Sequence, residues 1–197
     1  MTDTASSEQA LDVDPRVERS RRVILSAALD VLAEVGYGGL TIEAVAARAG
    51  VGKSTVYRHW SGKLDLVDDA ICTLKSAIFP TAGSVRERVT AFLGQVAAAM
   101  ANSTWSRCLP AIIEAAERDP ETMNIHRRLA GERRQLLIDL LAEGVATGAV
   151  PAGTDLGLLA DCLVGPIILR RLLLHEPVDD ATVRQLVDQI LGPASSD

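Results

Sequence analysis

A chain of 197 residues, 48% hydrophobic and 23% charged, is long enough for one or two domains and apolar enough to bury a core. Aromatics make up only 3%, so Leu, Val, Ile and Ala must fill that core, and the net charge of −6 excludes a uniformly basic surface. No apolar run approaches the ~18 residues of a membrane span, and the acidic N-terminus (Asp3, Glu8, Asp12, Asp14) excludes a secretory leader, so the expected location is cytoplasmic.

Residues 1–14 read as a disordered polar tail. Asp14-Pro15 is a helix start, with Asp as cap and Pro at the first helical position. Ile24, Leu25, Ala28, Leu29, Val31, Leu32 and Val35 then form a stripe of period near 3.6, predicted to stop at Gly36. Thr41 caps a second helix over Ile42–Ala49, Gly50-Val51-Gly52 forms a tight turn, and a third helix covers about Lys53–Trp60. Ser61 is the expected cap of a fourth, whose apolar face is Leu64, Val67, Ile71 and Leu74.

The pattern breaks near residues 76–84, expected to be the seam between a head (15–75) and a body (76–197). Ser84 and Glu87 make a capping box for a fifth helix bearing Val89, Phe92, Val96 and Met100. Trp105, Leu109, Ile112 and Ala116 mark a sixth, and Asp119-Pro120 starts a seventh that runs to about Thr147, with Gly148 beyond. The eighth, about Asp155–Leu174, is apolar on nearly every side, with Gly165-Pro166 as a possible hinge within it; the ninth covers about Asp180–Leu191. The fold class is therefore all-α, about nine helices, with no strand and no internal repeat.

Two short helices joined by a three-residue glycine turn can hold each other at a steep angle, so that the second enters a DNA major groove about 12 Å wide. Residues 16–66 carry eight bases against five acids, residues 1–15 carry −4 and the rest −5, which concentrates phosphate attraction in the head. A helix that is apolar all round must be covered on all sides, which one layer of neighbours does not achieve. The eighth and ninth helices are thus expected to form a twofold four-helix interface through Leu159, Leu163, Ile167, Leu172, Val183, Leu186, Val187 and Ile190. Cys72, Cys108 and Cys162 are odd in number and far apart, while His59, His126 and His175 are isolated. Neither a metal site nor a cofactor nor a catalytic constellation is expected.

The run Gly36, Leu40-Thr41, Val45-Ala46, Ala49-Gly50-Val51, Thr55-Val56-Tyr57, His59-Trp60 and Lys63 resembles the DNA-binding segment of the tetracycline-repressor (TetR/AcrR) family. The resemblance is specific over roughly residues 20–72 and elsewhere rests on helix order. It implies a homodimeric regulator of transcription that binds double-stranded palindromic operator DNA and is released as a repressor by a small-molecule effector. It further implies that Lys53, Ser54 and Tyr57 meet base edges, with Thr41, Thr55, His59 and Lys63 on phosphates and Arg21 and Arg22 on the flanking backbone. Glu43 departs from the pattern, standing where some relatives place a basic base-reader. The implied effector cavity lies within helices five to eight, with Met100, Trp105, Cys108, Ile112, Met123, His126 and Leu163 as candidate walls. Two alternatives remain: a ligand-independent regulator or activator of the same fold, and, remotely, an enzyme with a regulatory head.

Overall fold

The computed structural model describes residues 15–74 and 81–192. Among them are nine α-helices, one π-helical turn and no strand: α1 Pro15–Gly39, α2 Ile42–Ala49, α3 Lys53–Tyr57, α4 Lys63–Cys72, α5 Val85–Asn102, α6 Thr104–Ala116, α7 Pro120–Ala146, α8 Leu156–Leu169, the π-turn Arg170–Leu174, and α9 Asp180–Leu191. The expected tail over 1–14, the Asp14 cap and most of the expected seam lie outside the described residues.

Side-chain caps fix most helix starts. Thr41 accepts from the Ala44 amide at 3.1 Å, and Asp119 accepts from the Thr122 amide and hydroxyl at 2.9 and 2.6 Å. Ser84 and Glu87 form the reciprocal capping box. One start and one stop differ from expectation. Gly62, not Ser61, occupies the cap of α4; the Asp65 carboxylate instead reaches back to the Ser61 amide (3.2 Å) and hydroxyl (2.6 Å). The expected stop at Gly36 is a kink: its backbone leaves helical values (φ 73, ψ 173) and a further turn follows to Gly39.

The buried side chains form one core running from Ile24 to Val187, so head and body share an interior. α1 is the common element, packing on α2 and α4 in the head and along α6 of the body. Buried Ile24, Leu25, Ala28, Val31 and Leu32 supply its inner face. The Cys108 thiol of α6 donates to the Leu29 carbonyl at 3.4 Å, which stitches this contact. The body is α5 laid against α7, α8 and α9, with α7 also packed on α6 and α8. Arg86 of α5 bonds Asp188 of α9 at 2.6 Å, and Arg134 of α7 makes a two-point pair with Asp161 of α8 at 2.7 and 3.0 Å.

The last third corrects the sequence reading. α8 stays helical past Gly165-Pro166, where Pro166 has no amide to donate and one rung of the ladder is missing, and it gives way four residues later, where Arg170–Leu174 winds as a π-turn. The turn is closed by the Glu176 amide on the Arg170 carbonyl (2.9 Å) and by His175 in the left-handed region (φ 54). Within one chain only Ala160, Leu163 and Ile167 of α8 are buried. Leu163 and Ile167, with Val183 and Val187 of α9, are at most 1% exposed. They therefore build the protomer's own core and are closed to a partner. The surface row is instead Leu158, Leu169, Leu173 and Leu174, with Leu159, Leu172, Leu186 and Ile190 half-buried.

Candidate nucleic-acid interface

The geometry of the head follows from α2, the turn and α3. Gly50 takes left-handed values (φ 67) and its amide returns to the Ala46 and Ala47 carbonyls, while the Val51 amide reaches Ala46 at 3.0 Å. This glycine closure ends α2 abruptly. Gly52 follows extended and caps α3. Val56 is fully buried and pins α3 onto Val45 and Ala46 of the shared core. α3 ends at Tyr57, three residues short of the expected end, and Trp60 folds inward at 5% exposure.

Pinning one side of so short a helix turns the other outward. Lys53, Ser54, Tyr57 and Arg58 are all exposed, with the Tyr57 ring at 54%, and Thr55 and His59 are half-buried at the margins. A large aromatic left this open has an apolar planar face and a polar hydroxyl available for a groove. Arg58 is an addition to the predicted set. It lies directly after Tyr57 with its guanidinium in solvent, and its signal in the sequence was its place among the head's clustered bases.

Charged partners refine the other predicted residues. The Lys53 ammonium bonds the Glu43 carboxylate at 2.7 Å. That bond, then the backbone amide and the nearby positive charge, holds the Glu43 carboxyl below its ordinary range. Glu43 thus partners the cation expected to read bases. Lys63 lies over the Tyr37 ring, 4.1 Å from its centre, and burial holds its ammonium below its usual value. Arg21 pairs with Asp69 at 2.6 Å, whose carboxylate also accepts from the Trp60 indole at 2.8 Å. Arg22 and Thr41 are exposed. Next to Asp69, Asp68 is ion-paired to Arg128 of α7, so adjacent carboxylates of α4 bond the head and the body.

The predicted effector residues separate into two groups. Met100, Trp105, Cys108, Ile112 and Leu163 are at most 8% exposed and packed in the core, whereas Met123 and His126 are half-buried on α7. Arg133 covers the Trp105 ring at 4.4 Å, and burial pushes the Cys108 thiol up to about 11. Of the seven, Met100 borders a cavity of about 350 Å³ that opens beside the π-turn.

Residues 24–70 match the description "Bacterial regulatory proteins, tetR family", and residues 79–190, more than half of the chain, match "Tetracyclin repressor-like, C-terminal domain". An HTH-type transcriptional regulator of Bacillus subtilis is 32% identical over 177 residues, 88% of each chain. The DNA-binding transcriptional repressor TetR of Mycobacteroides abscessus is 31% identical over 182 residues, 89% of this chain and 94% of the relative. The crystal structure of the TetR family transcription regulator SCO0332 superposes with a TM-score of 0.67 at 31% identity, covering 90% of this chain and all of the other. An exposed recognition face on a glycine-turned helix pair, joined to a matching all-helical body, is thereby accounted for: the chain belongs to the TetR family of DNA-binding transcriptional regulators.

Proposed function

We propose that the protein is a dimeric repressor that reads an inverted-repeat operator and is released by a small-molecule effector. The observation that carries the DNA reading is the exposed row Lys53, Ser54, Tyr57 and Arg58 on a helix whose opposite side is pinned by Val56. Lys53 and Ser54 donate to base-edge acceptors and the Tyr57 ring supplies apolar contact. Thr41, Thr55, His59, Lys63 and Arg22 contact phosphate, and Arg21 does so after exchanging its bond to Asp69 for a phosphate oxygen.

The dimer is formed by the exposed leucines of α8 and the π-turn. Leu158, at 61% exposure, and Leu173, at 71%, belong to an apolar face of the kind that marks protein association. Leu159, Leu172, Leu186 and Ile190 line its margin. Twofold pairing sets the two α3 helices about 34–36 Å apart, one turn of DNA. A ligand-independent regulator is a second reading, favoured by the burial of Trp105, Cys108 and Ile112 in the core.

The reading is tested by selecting DNA from a random pool with the purified protein and measuring its binding by fluorescence anisotropy. Enrichment of a palindromic sequence bound with nanomolar to sub-micromolar Kd is the expected result. A pool that remains random after repeated rounds overturns it.

A further inference from the structure

We infer that the cavity beside the π-turn is a binding site for a small organic acid, with Arg171 as the carboxylate anchor; this rests on the effector-responsive reading above. Its walls are Ala97, Met100 and Ala101 from the end of α5, and Pro177 and Val178 from the segment before α9. Arg171, His175 and Glu176 are its polar groups. A volume of about 350 Å³ holds a compact monocarboxylic acid, at the lower end of the range for ligand pockets.

The charge at this site is unbalanced. Glu176 is neutralised by Arg170, its partner at 2.8 Å. Arg171 has no acidic partner among the described residues; only its Nε is engaged, donating to the Met100 carbonyl at 2.9 Å and the Ser106 hydroxyl at 2.8 Å. Those two bonds fix the guanidinium plane and leave both terminal nitrogens for a ligand, the fork that fits a carboxylate. An apolar body then rests on Met100, Ala101 and Val178. The backbone is shaped for this purpose too: a π-turn and a non-glycine residue in the left-handed region, His175, stand together at the mouth, and both features concentrate at functional sites.

The same anchor connects the cavity to the head. Ser106 is buried in α6, the helix that packs along α1 and bonds the Leu29 carbonyl through Cys108. A carboxylate that draws Arg171 outward strains its bond to Ser106 and is felt by α6, hence by the helix that carries α2 and α4. Occupancy couples to operator binding to the extent that the acid binds more tightly when α6 is shifted.

The test uses the full-length protein with hexanoate and benzoate as probes, and hexanamide and benzamide as neutral matches of the same shape. Thermal unfolding and operator anisotropy are measured for the native protein and for Arg171→Gln and Ala101→Trp. Ala101 is exposed, so the tryptophan fills the cavity without entering the core and leaves Arg171 intact. The expected result is that one or both acids raise Tm by about 3–6 °C at tenfold excess over Kd and weaken operator binding at least about fivefold. The amides do neither, and both variants lose the response. Equal shifts from acids and amides overturn the inference, as do acid shifts that survive Ala101→Trp, or no shift in a native protein that binds its operator. A native protein that binds the acids but no operator overturns the DNA reading instead and leaves the site standing.

Discussion

Lys53 and Glu43 show why a residue's role is settled by its neighbours. They are ten positions apart, on different helices, and only the turn at Gly50–Gly52 brings ammonium and carboxylate to 2.7 Å. No periodicity marks such a pair, so the sequence showed Glu43 only as a departure from a pattern. Exposed pairs of this kind contribute little stability, but the carboxylate competes with DNA for the cation. Glu43→Gln is therefore expected to raise affinity for random DNA and to steepen its salt dependence by about one unit of log–log slope, read by anisotropy at several salt concentrations. An unchanged slope means that Lys53, once freed from Glu43, neutralises no phosphate on random DNA. Tyr57→Ala is expected to weaken operator binding about tenfold or more, a loss of roughly 1–3 kcal/mol, with thermal stability unchanged because the ring is in solvent.

Elements whose ends are set by short-range chemistry were legible in the sequence. Thr41, Ser84 with Glu87, and Asp119-Pro120 each carry their hydrogen-bond partner within three residues, and the structure forms each of these caps. Ser84→Ala is accordingly expected to cost about 1 kcal/mol in denaturant unfolding. The same logic failed where the partner lay on the wrong side: Asp65 reaches back to Ser61, which displaces the cap to Gly62. α8 failed for a different reason. A helix apolar on every side carries no angular information, so its buried row (Ala160, Leu163, Ile167) and its exposed row (Leu158, Leu169) read alike. Leu163→Ala opens a cavity inside the protomer and is expected to cost 2–5 kcal/mol (roughly) while leaving assembly intact. The π-turn had no signature in the hydrophobic pattern, since all three of its leucines continue the apolar run of α8. His175 carries the cost of its left-handed backbone, roughly 1–2 kcal/mol, which His175→Gly is expected to recover in part.

At the scale of the whole molecule, two predictions separate association from folding. Leu173→Glu puts a charge into the exposed leucine face; the variant is expected to sediment as a folded monomer and to lose operator binding, because both half-sites must be held together. A dimer that persists moves the interface elsewhere. Acid should act on the fold itself. Glu34, Glu43, Asp65, Glu87, Asp119, Asp161 and Asp179 all have carboxyls held below their ordinary range, chiefly by hydrogen bonds from arginine, lysine, serine or threonine side chains or from backbone amides. A folded-state value below the unfolded one means the unfolded chain binds the proton first. The stabilisation is complete above about pH 4.5 and is lost as pH falls through the depressed values. Chemical denaturation is therefore expected to give a midpoint that these groups leave level near neutrality and lower below about pH 4.

Asp68 and Asp69 have a mechanical consequence. Successive residues on a helix point about 100° apart, so α4 is tethered on two flanks at once, to Arg128 on one and to Trp60 with Arg21 on the other. A helix held at two angles resists rolling about its own axis, because slack gained at one tether is tension at the other. Sliding lengthwise shifts both tethers in the same direction. α4 is thus held in its angular setting by both parts of the molecule at once, Asp68 facing Arg128 of the body and Asp69 facing Arg21 and Trp60 of the head.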